Sequence, residues 1–435
     1  MKTVESEGQP QPQSPSTNLS LGRIIAVCSV LIFLILGTML VKNNPIQGQN
    51  DASRWATVWS LNRGWGYSID GAPYGTIDKV RRDGHYYSSK PALLPTVVAG
   101  ITGLVILATG NATLSGSEYT VIPIVLVLVN VLPFTLLVFF YGRWLRGLDY
   151  DVFTKTMCLV NAAFGTFIVA YSISLNNHTV AAIGAFFAVL ILFKILTTPA
   201  PGPFAFVLCG VMSAWTVVNE LAAWPFMIFT FIIALKTDRR RTLAGYLRGF
   251  LVVACAFFLT TYLATGGVIP YYLRPELYKY PGSYWAHPQG IDAANEPKWI
   301  YLLNNLIGHH GVFSLTPIFI FALIPGAQSR ALKQVRNGAL ILAGLNFVFV
   351  VATTHNYGGV CQGPRWFIWL IPLWLFCLPP AIARVRIHLW GIGIILVATI
   401  WSVYSAAFAL LANSGGPWSS SWLQNWMRAA GWIDY

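Results

Sequence analysis

Residues 42–90 read KNNPIQGQNDASRWATVWSLNRGWGYSIDGAPYGTIDKVRRDGHYYSSK, a polar stretch between two apolar runs, 24–41 and 91–108. The stretch holds four aspartates, one histidine and seven lysines or arginines, in a chain of which only 10% is charged. A plain connector between two membrane spans needs none of these groups. Because carboxylates transfer protons and cations bind phosphate, the stretch predicts a reaction centre held at a membrane surface.

The rest of the chain is strongly apolar. Of its 435 residues 55% are hydrophobic, and the mean hydropathy is +0.59. A soluble globular domain carries about 25% charged residues, so the composition excludes that class. Apolar runs of membrane-spanning length recur, which predicts an all-α polytopic membrane protein, a bundle of about 11 transmembrane helices. The predicted spans are 24–41, 120–142, 156–175, 179–197, 203–220, 221–235, 249–266, 314–327, 338–354, 366–383 and 389–412.

Two units are expected along the chain. Residues 1–22 are rich in proline, glutamine and serine, which predicts a disordered cytoplasmic tail. No linker or repeat divides residues 23–435, so we interpret them as a single transmembrane domain. Its largest polar loops are 42–90 and 267–313, and a shorter one is 355–365.

The basic residues determine the expected orientation. They concentrate in short connectors, and cytoplasmic loops are rich in arginine and lysine. All the basic connectors share one side only if segment 91–108 lies along the outer face or re-enters it, which is permitted where protein buries its backbone. These connectors are 143–155, 236–248, 328–337 and 384–388. We therefore expect an inner-membrane protein whose three polar loops converge on one outward-facing, periplasmic cavity.

The same connectors account for the formal net charge of +13, so we expect no nucleic acid as a partner. Five of the six cysteines lie inside predicted spans, and only Cys361 lies in a loop. No spacing of cysteine and histidine typical of a metal site is present. The sequence therefore predicts neither a disulfide framework nor a metal.

Acidic residues of the first loop are the candidate catalytic groups. Asp51 begins a helical stretch, where an acid satisfies free N–H groups and complements the helix dipole. It is a helix cap, a general base, or both. Asp78 is interpreted as a second acid or as a ligand of sugar hydroxyls. Asp83-Gly84 predicts the turn of a hairpin.

Several other side chains are candidates for binding substrate. Lys90 lies where the loop meets the membrane, so it either extends toward the headgroups or pairs with a lipid phosphate. His85 and Tyr87 precede it in the same loop. His309 and His310 are adjacent, so they point to different sides of a helix. That arrangement fits binding of a phosphate or sugar oxygen better than a shared metal.

The third loop contributes Tyr357 and Arg365. Arg365 stands at the entrance of a span and is either an interfacial arginine or a bidentate ligand of phosphate. The aromatic residues of 271–285 suit an interface belt or a sugar platform equally.

The pattern resembles the GT-C glycosyltransferases of the family 39 type, which include protein O-mannosyltransferases and the aminoarabinose transferase of lipid A. The resemblance rests on an Asp at the start of a long first outer loop and on short motifs that follow it. Ala52 stands where the family often has Glu, and Ala92 replaces the second proline of Lys-Pro-Pro-Leu. The motifs are Asp70-Gly71-Ala72-Pro73, Lys90-Pro91-Ala92-Leu93-Leu94, Gly142-Arg143-Trp144-Leu145-Arg146 and Tyr357-Gly358-Gly359 with Gly363-Pro364-Arg365.

This resemblance implies a GT-C-like fold with juxtamembrane helices and an inverting sugar transfer. The donor would be a polyprenyl-phosphate sugar, and the acceptor would be a lipid, a glycan or a protein. Membrane lipids would be further partners. Asp51 would take the proton from the acceptor hydroxyl, and Arg365, with Lys90 or a histidine, would stabilise the departing lipid phosphate. No cofactor or metal is implied.

Two other classes of function are weighed against this one. A transporter or flippase of lipid-linked sugars or other polar solutes predicts ionisable residues in mid-span and inverted repeats. The acids of this chain lie in loops or at span ends, and the sequence contains no evident repeat. A scaffold without catalysis leaves the aspartate-rich loop unexplained.

Overall fold

The computed structural model describes residues 15–326, 329–354, 356–412 and 415–435. Residues 1–14 of the predicted tail therefore lie outside the described residues. The first helix begins at Pro15, so the assignment of 15–22 to a disordered tail is corrected. Extending an existing helix fixes one residue for each hydrogen bond gained, and the long apolar helix that follows supplies the nucleus.

The described chain is built almost entirely from helices, with one small hairpin. The longer elements are α1 Pro15–Lys42, α2 Gln49–Asn62, β1 Lys79–Arg82, β2 His85–Ser88, α3 Leu93–Thr109, α4 Glu118–Arg146, α5 Val152–Tyr171, α6 Asn177–Thr197, α7 Pro203–Asn219, α8 Leu221–Thr237, α9 Arg239–Thr265, α10 Lys298–Leu306, α11 Arg330–Thr353, α12 Arg365–Val385, α13 Leu389–Leu411 and α14 Trp422–Ala429.

Eight of these helices are long and apolar enough to cross a membrane: α1, α4, α5, α6, α9, α11, α12 and α13. The prediction of an all-α polytopic membrane protein is confirmed. Helices α7 and α8, which match the predicted spans 203–220 and 221–235, are apolar but shorter. The prediction of eleven spans thus corresponds to eight long helices, two shorter ones and one segment of a different kind.

That segment is 314–327, and its described part, 314–326, does not form a single α-helix. A one-turn helix, Val312–Leu315, is followed by a 3₁₀ helix, Pro317–Leu323. Proline has no N–H to donate and its ring clashes with the carbonyl four residues earlier, so the α-helix ends before Pro317. The next amide, that of Ile318, takes the Ser402 hydroxyl as acceptor at 3.3 Å instead.

Helix α12 lies at the centre of the bundle: of the 18 consecutive residues that are its most apolar stretch, 89% are buried. Phe376 of α12 stacks on Phe186 of α6 with ring centroids 5.4 Å apart. The Tyr141 hydroxyl of α4 donates to the Leu375 carbonyl at 2.6 Å. In an outer helix such as α1, only 33% of the corresponding 18-residue stretch is buried. The exposed apolar side chains of the outer helices provide the surface that a bilayer covers.

A helix of the first polar loop packs against the helix that directly follows the loop. Helix α2 is buried from Asn50 to Ser60, and α3 packs against it. Helix α3 exposes Leu104 and Leu107. An apolar helix would expose such side chains to lipid whether it crosses the membrane or lies along its outer face. That this segment does not cross the membrane stays a prediction.

The hairpin confirms the turn predicted at Asp83-Gly84. Strands β1 and β2 pair antiparallel with Lys79 opposite Ser88. Asp83 and Gly84 both have positive φ, 51° and 86°, as a tight two-residue hairpin turn requires. Because the strands run antiparallel, the residues that flank the hairpin, Asp78 and Lys90, are brought side by side. The Ser89 amide donates to the Asp78 carbonyl at 3.2 Å and continues this pairing.

Candidate functional site

An ion pair stands at the open end of the hairpin. Lys90 Nζ lies 2.7 Å from Asp78 Oδ2, and Asp78 is 9% exposed. Burial raises the pKa of Asp78, but the positive charges of Lys90, Arg365 and Arg54 outweigh burial and lower it overall. Burial lowers the pKa of Lys90 to about 8, against the raising effect of Asp78. Lys90 is therefore a cation that the protein has partly desolvated and holds in place through Asp78.

The pair opens into a cavity of about 510 Å³. Residues of all three polar loops line it, so the loops converge on one cavity as predicted, and its outward orientation stays a prediction. The cavity contains three cations, two carboxylates and four aromatic rings. Its lining is Asp78, Lys90, Tyr272, Pro275, Tyr278, Lys279, Trp285, Asp292, Asn356, Gly358, Arg365 and Trp366.

The Arg365 side chain passes close to a glycine of the neighbouring loop, which leaves room for it at the cavity. Gly358 has a φ of 86°, and a Cβ added there would overlap the Arg365 Nε. This Nε is buried and has no hydrogen-bond partner among the described residues. The guanidinium lies 5.7 Å from the ring centroids of both Trp366 and Trp418. Arg365 thus combines aromatic support with an unused buried donor at the cavity.

Asp292 is the second carboxylate of the cavity. Its Oδ2 accepts a hydrogen bond of 2.9 Å from the Tyr284 hydroxyl, and its Oδ1 is buried without a partner among the described residues. The neighbouring Gly359, with a φ of 81°, leaves room for it. Burial, with a smaller contribution from Asp78, raises the pKa of Asp292 although Tyr284, Arg365 and Lys90 lower it. The two carboxylates therefore differ, with Asp78 kept ionised and Asp292 made more basic.

Asp292 was not among the candidates selected from the sequence. No local motif surrounds it: it lies in a single turn of 3₁₀ helix, Gly290–Ala293. Only the fold places it beside residues 358–359 and opposite the hairpin.

Aromatic side chains of the second loop form part of the wall. Tyr278 and Trp285 pack edge to face with centroids 6.3 Å apart. The Trp285 indole donates to the Ile77 carbonyl at 3.0 Å, which ties this loop to the base of the hairpin. Three aromatic residues of the stretch 271–285 line the cavity, namely Tyr272, Tyr278 and Trp285.

Asp51 does not line the cavity, so the prediction that it would do so together with Arg365 is wrong. The residue is fully buried. Its carboxylate accepts from the backbone N–H groups of Gln47 at 2.9 Å, Gly48 at 2.7 Å and Ala52 at 3.0 Å. Burial raises the pKa of Asp51 to about 6, although these backbone donors lower it. Its observed contacts are those of a helix cap.

A buried arginine lies beneath the ion pair instead. Arg54, on α2, is 2% exposed and donates from Nη1 to the Asn50 carbonyl at 2.9 Å. Its Nη2 donates to the amide oxygen of Asn177, whose own NH₂ group donates to Glu220 at 3.2 Å. Burial lowers the pKa of Arg54 to about 10, against the raising effect of Asp78. The guanidinium thus adds positive charge near Asp78, and this charge lowers the pKa of Asp78.

We expect Asp51→Asn to destabilise the fold. An amide offers one acceptor atom in place of two, so at least one buried backbone N–H would face an NH₂ group. A buried donor left without a partner costs about 1–3 kcal/mol, which should lower the thermal-unfolding midpoint of the detergent-solubilised protein. Asp83→Asn is the matched control, because Asp83 is exposed at the hairpin turn, where asparagine is tolerated. Equal midpoints for both variants would contradict the cap.

His309, His310 and Tyr357 form a separate buried cluster. The two histidine Nδ1 atoms are 2.5 Å apart, and the Tyr357 ring packs on both imidazoles. The hydroxyls of Tyr357 and Tyr435 donate to Glu296. Burial lowers the pKa of His309 to about 4 and lowers that of His310 as well. The two imidazoles are neutral and fully buried, and the cluster joins the second and third loops to Tyr435. None of His309, His310 and Tyr357 lines the cavity.

His85 and Tyr87 also lie away from the cavity lining. His85 is exposed and its Nδ1 contacts Asp70 Oδ2 at 2.6 Å. Tyr87 packs on Tyr271 with centroids 5.2 Å apart and belongs to a small cleft on the other side of Lys90. Of the nine candidate residues named from the sequence, the cavity brings together Asp78, Lys90 and Arg365.

Metal-ligating side chains do not gather in the described ranges: no group of three or more His, Cys, Asp or Glu residues there is arranged to hold a metal ion. The charged side chains that line the cavity are Asp78, Lys90, Lys279, Asp292 and Arg365.

The chain was also compared with known proteins. No protein-family model matches its sequence, and no curated protein sequence is significantly similar to it.

Proposed function

We propose that the protein is an inverting glycosyltransferase that moves a sugar from a polyprenyl-phosphate donor to a hydroxyl of a lipid, glycan or protein acceptor. One observation carries this proposal: a buried, unpartnered carboxylate oxygen of Asp292 shares a cavity with three cations and four aromatic rings. The combination provides a base, an anion site and a sugar-sized hollow, which are the three parts that such a transfer needs.

Lys90 and Arg365 would bind the donor phosphate. With Lys279 they give the cavity three positive charges against the two negative charges of Asp78 and Asp292, so an anion is favoured. Arginine binds phosphate through two parallel N–H groups, and the buried Nε of Arg365 has no partner in the described chain. Asp78 would act on Lys90, holding its ammonium in place at 2.7 Å.

The sugar would lie on the aromatic wall. A volume of about 510 Å³ falls within the range of about 300–1,000 Å³ usual for small-molecule sites. The rings of Tyr278, Trp285 and Trp366 offer flat apolar faces with polar edges, suited to a sugar's C–H face and hydroxyls.

Asp292 would be the general base. Its Oδ1 would take the proton of the acceptor hydroxyl while that oxygen attacks the anomeric carbon. The bond from the anomeric carbon to the phosphate oxygen breaks, and its electron pair leaves with the polyprenyl phosphate beside Lys90 and Arg365. A base works best when its pKa is near the working pH, which favours Asp292, with its raised pKa, over Asp78. Asp51, the base implied by the family resemblance, has its carboxylate occupied by backbone N–H groups.

We infer further that the cavity opens on the periplasmic side of the inner membrane. The basic connectors 143–155, 236–248, 328–337 and 384–388 support this orientation through the positive-inside rule. The first spans would then present the donor's lipid chain to the bilayer and its phosphate to the cavity. The acceptor would belong to the cell envelope.

The experiment is a transfer assay with the purified full chain and a panel of polyprenyl-phosphate sugars. We expect release of polyprenyl phosphate together with transfer of the sugar to an acceptor hydroxyl. The same protein in proteoliposomes tests the transporter alternative. Movement of intact lipid-linked sugar across the membrane, with no polyprenyl phosphate released by any member of the panel, would contradict the transferase.

A further inference from the structure

A second charged pocket, which shares no lining residue with the cavity, lies where α7, the end of α8 and the start of α9 meet. It has a volume of about 370 Å³ and is lined by Pro203, Val207, Asp238, Arg240, Arg241, Ala244, Gly245 and Arg248. Three arginines face a single aspartate, so the pocket carries a net positive charge. The proposed sugar transfer makes no use of it.

The three arginines of the pocket differ in how firmly their side chains are held. Arg241 is held in position: its Nη1 donates to the Pro201 carbonyl at 2.8 Å and its Nε lies 3.5 Å from Asp238 Oδ2. Arg240 and Arg248 are exposed and form no salt bridge within the described part of the chain. The pocket thus has one fixed guanidinium and two whose donors are free for an anion.

A local change in helix geometry brings Arg240 and Arg248 to the same pocket. In a regular α-helix of 3.6 residues per turn, residues eight apart are rotated by about 80° from each other. Between these two arginines the helix forms a π turn, Thr242–Tyr246, which bonds residues five apart and holds an additional residue. The additional residue reduces the rotation, so both side chains line the pocket.

The floor and the outer side of the pocket are apolar. Gly245 permits the helices to approach closely, because an added Cβ would lie 3.0 Å from Phe206 Cβ and 3.2 Å from the Pro203 carbonyl. One turn beyond Arg248, Leu251 and Val252 are 53% and 67% exposed on the membrane-spanning part of α9. A charged pocket that continues into an exposed apolar strip matches a molecule with an anionic head and apolar tails.

We propose that this pocket binds the phosphate headgroup of an anionic membrane phospholipid, with the acyl chains lying along Leu251 and Val252. Arg240 and Arg248 contact the phosphate, and Arg241 sets the back of the site. Basic pockets between transmembrane helices recognise anionic headgroups through this combination of fixed charge and apolar surface. A free phosphate shares the headgroup's charge but has no use for the apolar strip.

The test is native mass spectrometry of the full chain in neutral detergent with phosphatidylglycerol, phosphatidylcholine or inorganic phosphate added. We expect phosphatidylglycerol to bind at least about tenfold more tightly than phosphatidylcholine, and Arg240→Gln with Arg248→Gln to lose about tenfold or more of that affinity. Arg143→Gln with Arg146→Gln removes the same charge from another basic connector and should retain it.

Three results would overturn the proposal. They are equal binding of the two lipids, equal loss in the two double variants, and displacement of phosphatidylglycerol by equimolar inorganic phosphate, which would identify a free-phosphate site. If the double variant does not fold, the single exposed substitution Arg248→Gln and the lipid preference of the unaltered chain decide the question.

Discussion

Asp292→Asn is expected to reduce sugar transfer by about 10²–10⁴-fold, the usual loss when a general base is removed. The amide oxygen can still accept the hydrogen bond from the Tyr284 hydroxyl, which is 2.9 Å from Asp292 Oδ2 in the structure. It cannot take a proton from the acceptor. The loss should therefore appear in kcat, while donor binding, measured separately with a non-transferable analogue, changes little.

The pH profile gives a second measure of the same group. A base acts only when it is ionised, so kcat should rise with pH through the pKa of Asp292. Because burial raises that pKa, the acid limb should lie above the pH at which an ordinary aspartate of pKa about 3.9 ionises. The limb should be absent from the residual activity of Asp292→Asn.

Two variants serve as controls for this prediction. Asp83→Asn makes the same chemical change at the exposed hairpin turn and should leave transfer unchanged. Asp51→Asn should lose stability but keep its activity per folded molecule. A folded Asp51→Asn protein without activity, next to an active Asp292→Asn protein, would return the role of base to Asp51.

Arg365→Gln is expected to lower transfer by about 10²–10³-fold, as the loss of one preorganised donor to a developing negative charge does. Charge grows on the phosphate as the glycosidic bond breaks, so kcat should fall along with donor affinity. Arg365→Lys keeps the charge but not the paired N–H groups, so it should recover activity only in part. The measurement is kcat and KM over a range of donor concentrations.

Gly358→Ala is the matched variant, because it leaves every charge in place. Its Cβ would overlap the Arg365 Nε, and its φ of 86° is unfavourable for alanine. We expect it to reproduce much of the loss by displacing the guanidinium. Gly75→Ala, at a position with open space around the added Cβ, should have little effect. Full activity in both Arg365→Gln and Gly358→Ala would exclude Arg365 from phosphate binding.

Local chemistry determined much of what could be predicted. Hydropathy set the fold class, because a bilayer selects long apolar helices whatever their partners. The Asp83-Gly84 turn followed from the positive φ that a tight hairpin needs. Lys90 and Arg365 were selected because a cation at the junction of a loop and a span has few uses other than headgroup or phosphate contact. Each of these depends on a short window of sequence.

The sequence left two interpretations open for Asp51, a helix cap and a general base, and only its packing distinguishes them. A carboxylate at the start of a helix is a cap or a base according to what its oxygens contact. In the folded chain the oxygens of Asp51 contact three backbone N–H groups, and the residue is fully buried. The break at Pro317 was likewise missed, because hydropathy averages over a window and does not register one lost N–H.

Tertiary structure alone decided the membership of the cavity. Asp78 and Lys90 meet through a hairpin, but Asp292 and Arg365 join them from more than 200 residues further along the chain. The raised pKa of Asp292 and the lowered pKa of Asp78 come from burial and from neighbours on other loops. Electrostatic effects of this kind depend on distance in space and on the exclusion of water, and neither quantity is encoded in the order of residues around the group that it affects.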